Sequence, residues 1–226
     1  MSLHLKDVMY EIQEGDNSRQ ILKFINHQFE KNKITTISGN SGSGKTTLLY
    51  AISGILPLTE GEVLFNNNSL YKLKEMERDY FRLNHVGMIM QNLNLMSFMN
   101  VEDNILLPFY LRKLTIDHST NELILKYLNL MNLGDIRKKR ISSLSGGEQQ
   151  RVAIIRAFIT SPELILCDEP TGALDQKNTV NFMNSLRKIQ AETHATVIVV
   201  THDEQVYQYG DIKLYMDDGQ LKEDII

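Results

Sequence analysis

The chain has no tryptophan, one cysteine and four prolines in 226 residues. One cysteine, Cys167, can form no intramolecular disulfide, and its place in an apolar run fits a reducing compartment and argues against a catalytic thiol. Excess basic charge is also missing. Lys and Arg number 24 against 28 Asp and Glu, a net charge of −4, so nothing marks a protein that lives on phosphate backbones. The longest apolar stretch, Val152 to Cys167, is cut by Arg156, Pro162 and Glu163, which excludes a bilayer-spanning segment. Residues Met1 to Lys6 lack the apolar core of a signal peptide. Low-complexity tracts are absent, and 42% hydrophobic with 23% charged residues is ordinary globular composition. These exclusions leave one large α/β domain, or a core with one inserted subdomain, and any work on a membrane must be done through a partner.

Glycine is concentrated where it means something. The β-branched run Ile34-Thr35-Thr36-Ile37-Ser38 ends in Gly39-Asn40-Ser41-Gly42-Ser43-Gly44-Lys45-Thr46-Thr47, which opens into the helical pattern Leu48-Leu49-Tyr50-Ala51-Ile52. This is the strand, loop and helix of a P-loop. Gly42 and Gly44 let the backbone take positive φ and curl its N–H groups round a diphosphate, and the helix N-terminus adds partial positive charge. Lys45 is expected on the β- and γ-phosphates and the Thr46 hydroxyl on Mg²⁺, with Thr47 free to bond back into the loop.

Along the chain, Leu3 to Ile12 and Ile21 to Phe29 read as antiparallel strands joined by the turn Glu14-Gly15-Asp16-Asn17-Ser18. Gly61 to Phe65 adds a strand with an Asn66-Asn67-Asn68 turn, completing a small β layer over about residues 1–32 and 60–75. Glu75 to Leu83 is polar and helical. Val86 to Gln91, Leu164 to Asp168 and Thr196 to Thr201 are apolar runs, with a helix from about Thr179 to Glu192 between the last two. Ile212 to Met216 is a final strand meeting the turn Asp217-Asp218-Gly219. Such runs separated by helices imply a parallel sheet covered on both faces, so residues of about 33–59, 84–91 and 158–226 form the nucleotide core. Between them, about 92–157 is mostly helical, with Asn121 to Leu133 amphipathic, and reads as an inserted helical subdomain. The basic run Arg137-Lys138-Lys139-Arg140 reads as a solvated loop.

Four strands end on chemistry: the phosphate loop, Gln91, Asp168-Glu169 and Thr201-His202. In parallel sheets ligands bind outside the carboxyl ends of the strands, so the four endings belong to one site. Asp168 is expected in the Mg²⁺ shell and Glu169 as general base toward water at the γ-phosphate. A second motif, Leu144-Ser145-Gly146-Gly147-Glu148-Gln149-Gln150-Arg151, contains the S-x-x-E capping box of a helix. Two glycines in that first turn weaken the helix by roughly 1 kcal/mol each relative to alanine. They make sense if a ligand approaches bare N–H groups at a positive helix end, which is a second phosphate site.

With these motifs in place, the chain resembles the ATP-binding cassette (ABC) ATPases over essentially its whole length. Leu144 to Glu148 matches their signature, Gln91 the glutamine loop, Ala173-Leu174-Asp175 the D-loop and His202 the switch histidine, all in the family's order. The resemblance implies ATP and Mg²⁺ as cofactors. Nucleotide contacts are implied for Gly39 to Thr47, for Ser145, Gly146, Gly147 and Glu148, and for Asp175; Thr46, Gln91 and Asp168 fall at the metal, and Lys45, Gln91, Glu169 and His202 at the chemistry. It also implies a head-to-tail pair of copies, in which the signature of one closes over the ATP of the other, and a separately encoded membrane permease that holds the pair at the cytoplasmic face. The runs Gln91 to Leu95 and Asp168 to Asp175 look most like the branch of macrolide exporters, lipoprotein-release systems and antimicrobial-peptide transporters. Two departures stand out: the aromatic that stacks on adenine in the family falls at Ile12, with Tyr10 two residues earlier on the same strand face, and the proline before the signature is Ile141. The rival readings are a soluble ABC ATPase with a scaffold or cell-wall role and a P-loop kinase or GTPase, which the signature opposes.

Overall fold

The computed structural model describes residues 2–15, 17–172 and 174–223. The first half of the chain contains β1 (Leu3–Glu14), β2 (Asn17–Phe29), β3 (Ile34–Ser38), α1 (Lys45–Ile52), β4 (Glu60–Phe65), β5 (Asn68–Ser69), α2 (Glu75–His85), β6 (Val86–Met90) and α3 (Val101–Leu111). Then come α4 (His118–Leu130), α5 (Gly146–Phe158), β7 (Leu164–Asp168), α6 (Gln176–Thr193), β8 (Thr196–Val200), α7 (Glu204–Gln208), β9 (Ile212–Asp217) and β10 (Gln220–Glu223). An antiparallel sheet in the order β2-β1-β4-β5 faces a six-stranded sheet in the order β10-β9-β3-β8-β7-β6. The larger sheet is parallel from β9 to β6, and β10 is added antiparallel at its edge.

Strand alternation divides the large sheet's side chains between two cores. Ile37, Leu164, Leu166, Ile198 and Val200 face one cluster together with Leu3, Leu5, Val8 and Leu22 of the β layer. Helix α1 lies in that cluster with Leu48, Leu49, Ala51 and Ile52 fully buried, so the helix that begins at the phosphate loop is clamped between the two sheets. Ile165, Cys167, Val197 and Val199 face the other way, onto α5, α6 and the helical insertion. The insertion has no separate core: Val101, Ile105, Ile124 and Leu128 belong to the same cluster as Ile154, Phe158 and Phe182. Close approach at this contact requires glycine at 87, because a Cβ there would sit 2.3 Å from the Ala157 carbonyl oxygen.

The turns follow the chemistry of their residues. Asn66 and Asn67 both take positive φ, 50° and 64°, between β4 and β5. Asp16, in the turn between β1 and β2, lies outside the described residues. At the end of the chain, Asp218 and Gly219 take φ of 43° and 78° and return the backbone into β10, which the sequence did not announce. Gln220-Leu221-Lys222-Glu223 has one apolar residue, so an edge strand paired on one side leaves almost no hydrophobic signal.

The basic run is a loop with Lys138, Lys139 and Arg140 exposed, and the structure adds a task to it. It is a strut against the start of α3: the first two N–H groups of that helix, Val101 and Glu102, donate to the carbonyls of Lys139 and Arg137, each at 3.0 Å. These are donors that a helix N-terminus must satisfy from outside itself. The Glu102 side chain, only 11% exposed, is gripped by Arg137 and Lys138, and Arg137 also donates to Asn121. Burial by itself raises the Glu102 carboxyl, but the hydrogen bonds and charge of Arg137 and Lys138 outweigh it and hold the group below its ordinary value. A carboxylate depressed in this way contributes stability that is present above its unfolded pKa and lost as the pH falls through the folded one. Glu102→Gln should therefore destabilise the chain by about 1–3 kcal/mol at neutral pH. The deficit should close as the pH drops below 4.5, the ordinary value for this carboxyl. Paired thermal melts in neutral and acidic buffer check this, and a deficit independent of pH would contradict it.

Candidate functional site

The site begins with backbone. Gly42 and Gly44 take φ of 78° and 105°, and Gly44 is the N-cap of α1. A Cβ on Gly44 would stand 2.9 Å from the Ile21 carbonyl oxygen, so β2 passes directly over the start of the helix. The loop is tied from below, where the Gly219 N–H donates to the Ser43 carbonyl at 3.0 Å. Lys45 closes it from within: its Nζ donates to the carbonyls of Gly39 at 2.7 Å and Asn40 at 2.8 Å. Burial pulls the Lys45 ammonium below its ordinary pKa, while the negative charges of Glu169 and Asp168 work in the opposite direction.

Strand register brings the other endings to the same place. Met90 pairs with Asp168 and Asp168 with Val200, so Gln91, Glu169 and Thr201 emerge side by side from β6, β7 and β8. Asp168, 9% exposed, accepts a hydrogen bond on Oδ1 from the Thr46 hydroxyl at 2.9 Å. Burial pushes its carboxyl up, partly offset by the Thr46 bond. Glu169 takes φ of 45°, a left-handed conformation that is uncommon for a non-glycine residue and often found where function holds a side chain in place. Its N–H donates to the Val200 carbonyl at 3.0 Å. Its Oε2 lies 2.9 Å from Nδ1 of His202 and accepts the His202 backbone N–H at 3.3 Å. Cys167, one residue earlier, is buried and its thiol is pushed well up by that burial, which leaves it inert.

These groups surround a cleft of 440 Å³, lined by Ser41, Gly42, Gly44, Lys45, Thr46 and Thr47 from the loop and by Glu169 and His202 from the neighbouring strand ends. Arg19 and Ile21 of β2 also line it, and the sequence reading had passed over both. Arg19 directly follows the stretch read as a polar turn, and Ile21 begins the strand read after it. The alternation of Arg19 and Ile21, continued outward from the strand, was the available signal.

Other expected residues stand elsewhere. Gln91 does not line the cleft; its Nε2 rests against Gly172, 2.9 Å from where a Cβ on that glycine would be. Ile12 and Tyr10 do not line it either. Tyr10 packs on the core of the β layer, whereas Ile12 pairs with Arg19 at the mouth of the cleft. The signature is on a different surface. Ser145 caps α5 in a reciprocal box with Glu148: its N–H and hydroxyl donate to Glu148 Oε2 at 2.8 and 2.7 Å. A Cβ on Gly146 would meet nothing within 4 Å, and one on Gly147 would make only ordinary contacts. Asp175 is the N-cap of α6, accepting from the Asn178 N–H at 2.8 Å, while Ala173 lies outside the described residues. A larger groove of 660 Å³ between α4, α5 and α6 contains none of the expected site residues.

A phosphate loop at the end of a central parallel strand, facing an acidic pair on the next strand but one, defines a P-loop ATPase. Residues 22–172 match the ABC transporter family. The chain is 36% identical over 205 residues to the bacitracin export ATP-binding protein BceA of Halalkalibacterium halodurans, covering 91% of this chain and 81% of that one. It is 34% identical to the putative hemin import ATP-binding protein HrtA of Staphylococcus aureus, covering 98% and 99%. The dimeric ATP-binding cassette MJ0796, solved with ADP and Pi in a post-hydrolysis state, superposes with a TM-score of 0.84 at 32% identity over 98% of each chain. The chain belongs to the ABC transporter family and is an ATP-hydrolysing transporter subunit.

Proposed function

We propose that two copies of this chain close head to tail over ATP and Mg²⁺ and drive a separately encoded permease from the cytoplasmic face of a membrane, exporting a peptide-like or amphiphilic substrate. One observation supports the pairing: Ser145 caps the start of α5, a helix end suited to an anion, yet it does not line the cleft formed by the phosphate loop of its own chain. Gly146 meets nothing, so packing within the chain does not ask for glycine there, whereas a partner's ATP approaching the helix end does. Export is supported by the BceA relative and by the run from Gln91 to Leu95. Among the described residues no helix is long and apolar enough to cross a membrane.

The donor set fits Mg²⁺. The Thr46 hydroxyl and the Asp168 carboxylate stand together, and one carboxylate with few other protein ligands suits an ion that takes the rest of its shell from phosphate and water. When bound, the ion would supply charge neutralisation to the nucleotide's phosphates. Lys45 places its cation beside the same phosphates, and Glu169 accepts the proton of the attacking water. His202, through its 2.9 Å contact, orients the Glu169 carboxylate. Gln91 rests against Gly172 and does not line the cleft, so a rearrangement of this side chain on nucleotide binding is the proposed link to the segment that follows it.

That segment is built to present side chains outward. Asn104, fully buried, holds the backbone of Met96 from both sides, accepting its N–H at 2.8 Å and donating to its carbonyl at 3.1 Å. Arg156 donates to the carbonyls of Leu93 and Asn94. Leu95 packs on the core, but Phe98 is 76% exposed and Met96 37%. A pinned backbone with an exposed aromatic and methionine suits reception of a short helix of the permease.

Three outcomes test this reading. Lys45→Ala should abolish ATP binding, whereas Glu169→Gln should keep binding and lose at least about a hundredfold in turnover, the usual contribution of a positioned base; wild-type turnover by the second variant would remove Glu169 from the role. With ATP and Mg²⁺, Glu169→Gln should run as a dimer by light scattering, and adding Ser145→Arg should leave a monomer of unchanged ATP affinity. Phe98→Ala should leave ATP binding and thermal stability intact while weakening co-purification with the permease, and equal losses of stability and partner binding would sink the groove.

A further inference from the structure

Resting on the reading of the cleft as an ATP site, we infer that Arg19 is the residue on which the nucleotide base stacks, in place of the aromatic that this chain lacks at position 12. The hairpin register places it there. Tyr10 pairs with Leu22, and an unbroken ladder would set Gln20 opposite Ile12. A register shift between Tyr10 and Glu11 sets Arg19 opposite Ile12 instead. Tyr10 is thereby left on the core of the β layer, while Arg19 joins Ile21 on the wall of the cleft.

The order of groups along β2 matches the order of groups along a nucleotide. The Ile21 carbonyl lies over Gly44, where the phosphates enter the start of α1. Arg19 is two residues farther out, roughly 6–7 Å along a strand, beyond the ribose and level with the base. Its side chain is exposed and makes no hydrogen bond or ion pair with another described residue. The neighbouring carboxylate, Asp218, is already engaged by Lys23 at 2.6 Å. The Arg19 charge acts on Asp218 from a distance without a hydrogen bond, and its guanidinium has a flat face that covers a purine ring, with Ile12 opposite giving apolar cover. A plane of this kind makes no hydrogen bond to the base edge, so it holds adenine and guanine alike. Loose base selectivity is the consequence.

Equilibrium binding by the full chain, with Glu169→Gln present throughout to stop hydrolysis, tests the inference using ATP, GTP and inorganic tripolyphosphate as probes. Arg19→Ala should weaken ATP and GTP by about the same factor, three- to thirtyfold, and leave tripolyphosphate unchanged. Arg19→Lys, which keeps the charge and loses the plane, should lose nearly as much, whereas Arg19→Tyr should retain or tighten ATP binding. Matching thermal melts exclude a folding defect. Unchanged ATP affinity in Arg19→Ala overturns the inference. So does loss of tripolyphosphate together with ATP when Arg19→Lys restores both, since Arg19 would then serve the phosphates. Absence of ATP binding before any change at Arg19 removes the nucleotide reading itself, a result distinct from either.

Discussion

Everything in this molecule depends on holding the N-terminus of α1 rigidly at the end of β3. The backbone N–H groups of the phosphate loop are useful only if they converge, and the loop's glycines, with φ of 78° and 105° at Gly42 and Gly44, give it no stiffness of their own. Rigidity comes from the surroundings: α1 is buried between two sheets, Lys45 bonds across to the Gly39 and Asn40 carbonyls, and Gly219 fastens Ser43. The β layer is thus part of the site. It clamps the helix from the side opposite the large sheet, and its β2 strand lines the cleft.

The second requirement is to keep acidic groups close together beside that loop. Asp168 and Glu169 are adjacent, and burial with its neighbour's charge pushes the Asp168 carboxyl up. Thr46 and Lys45 offset this in the free chain, and bound cation would offset it further. Backbone geometry separates the two carboxylates: the left-handed conformation of Glu169 turns its side chain away from Asp168 toward His202. In the proposed mechanism this left-handed turn separates the carboxylate assigned to the metal from the one assigned to proton transfer.

A half-site on each of two surfaces makes association part of the chemistry. The capping box of Ser145 and Glu148 already satisfies the donors that it can reach, so the end of α5 is stable in a lone chain. What the box leaves open is the surface over Gly146. The pinned segment carrying Met96 and Phe98 leaves a third surface open, next to Gln91. In the proposed reading, nucleotide, second copy and permease address different faces of one domain, connected through β6 and β7.

The sequence by itself determined the apolar strands of the two sheets, the phosphate loop, the acidic ending of β7, the capping box of α5 and the family. Each of these is local: periodicity of apolar residues, glycine at a tight turn, or a polar residue directly after a buried run. Tertiary structure alone decided what depends on register and distance. The basic run at Arg137 became a cap for α3 because its carbonyls lie beside the Val101 and Glu102 N–H groups, a pairing across more than thirty residues that no local pattern encodes. β10 formed because Asp218 and Gly219 turn four mostly polar residues back onto an available edge. Arg19 reached the cleft through a one-residue shift in the β1–β2 ladder, and the same shift set Tyr10 and Ile12 to different tasks. Alternation in a sequence says which residues share a face; only the pairing of strands says what that face meets.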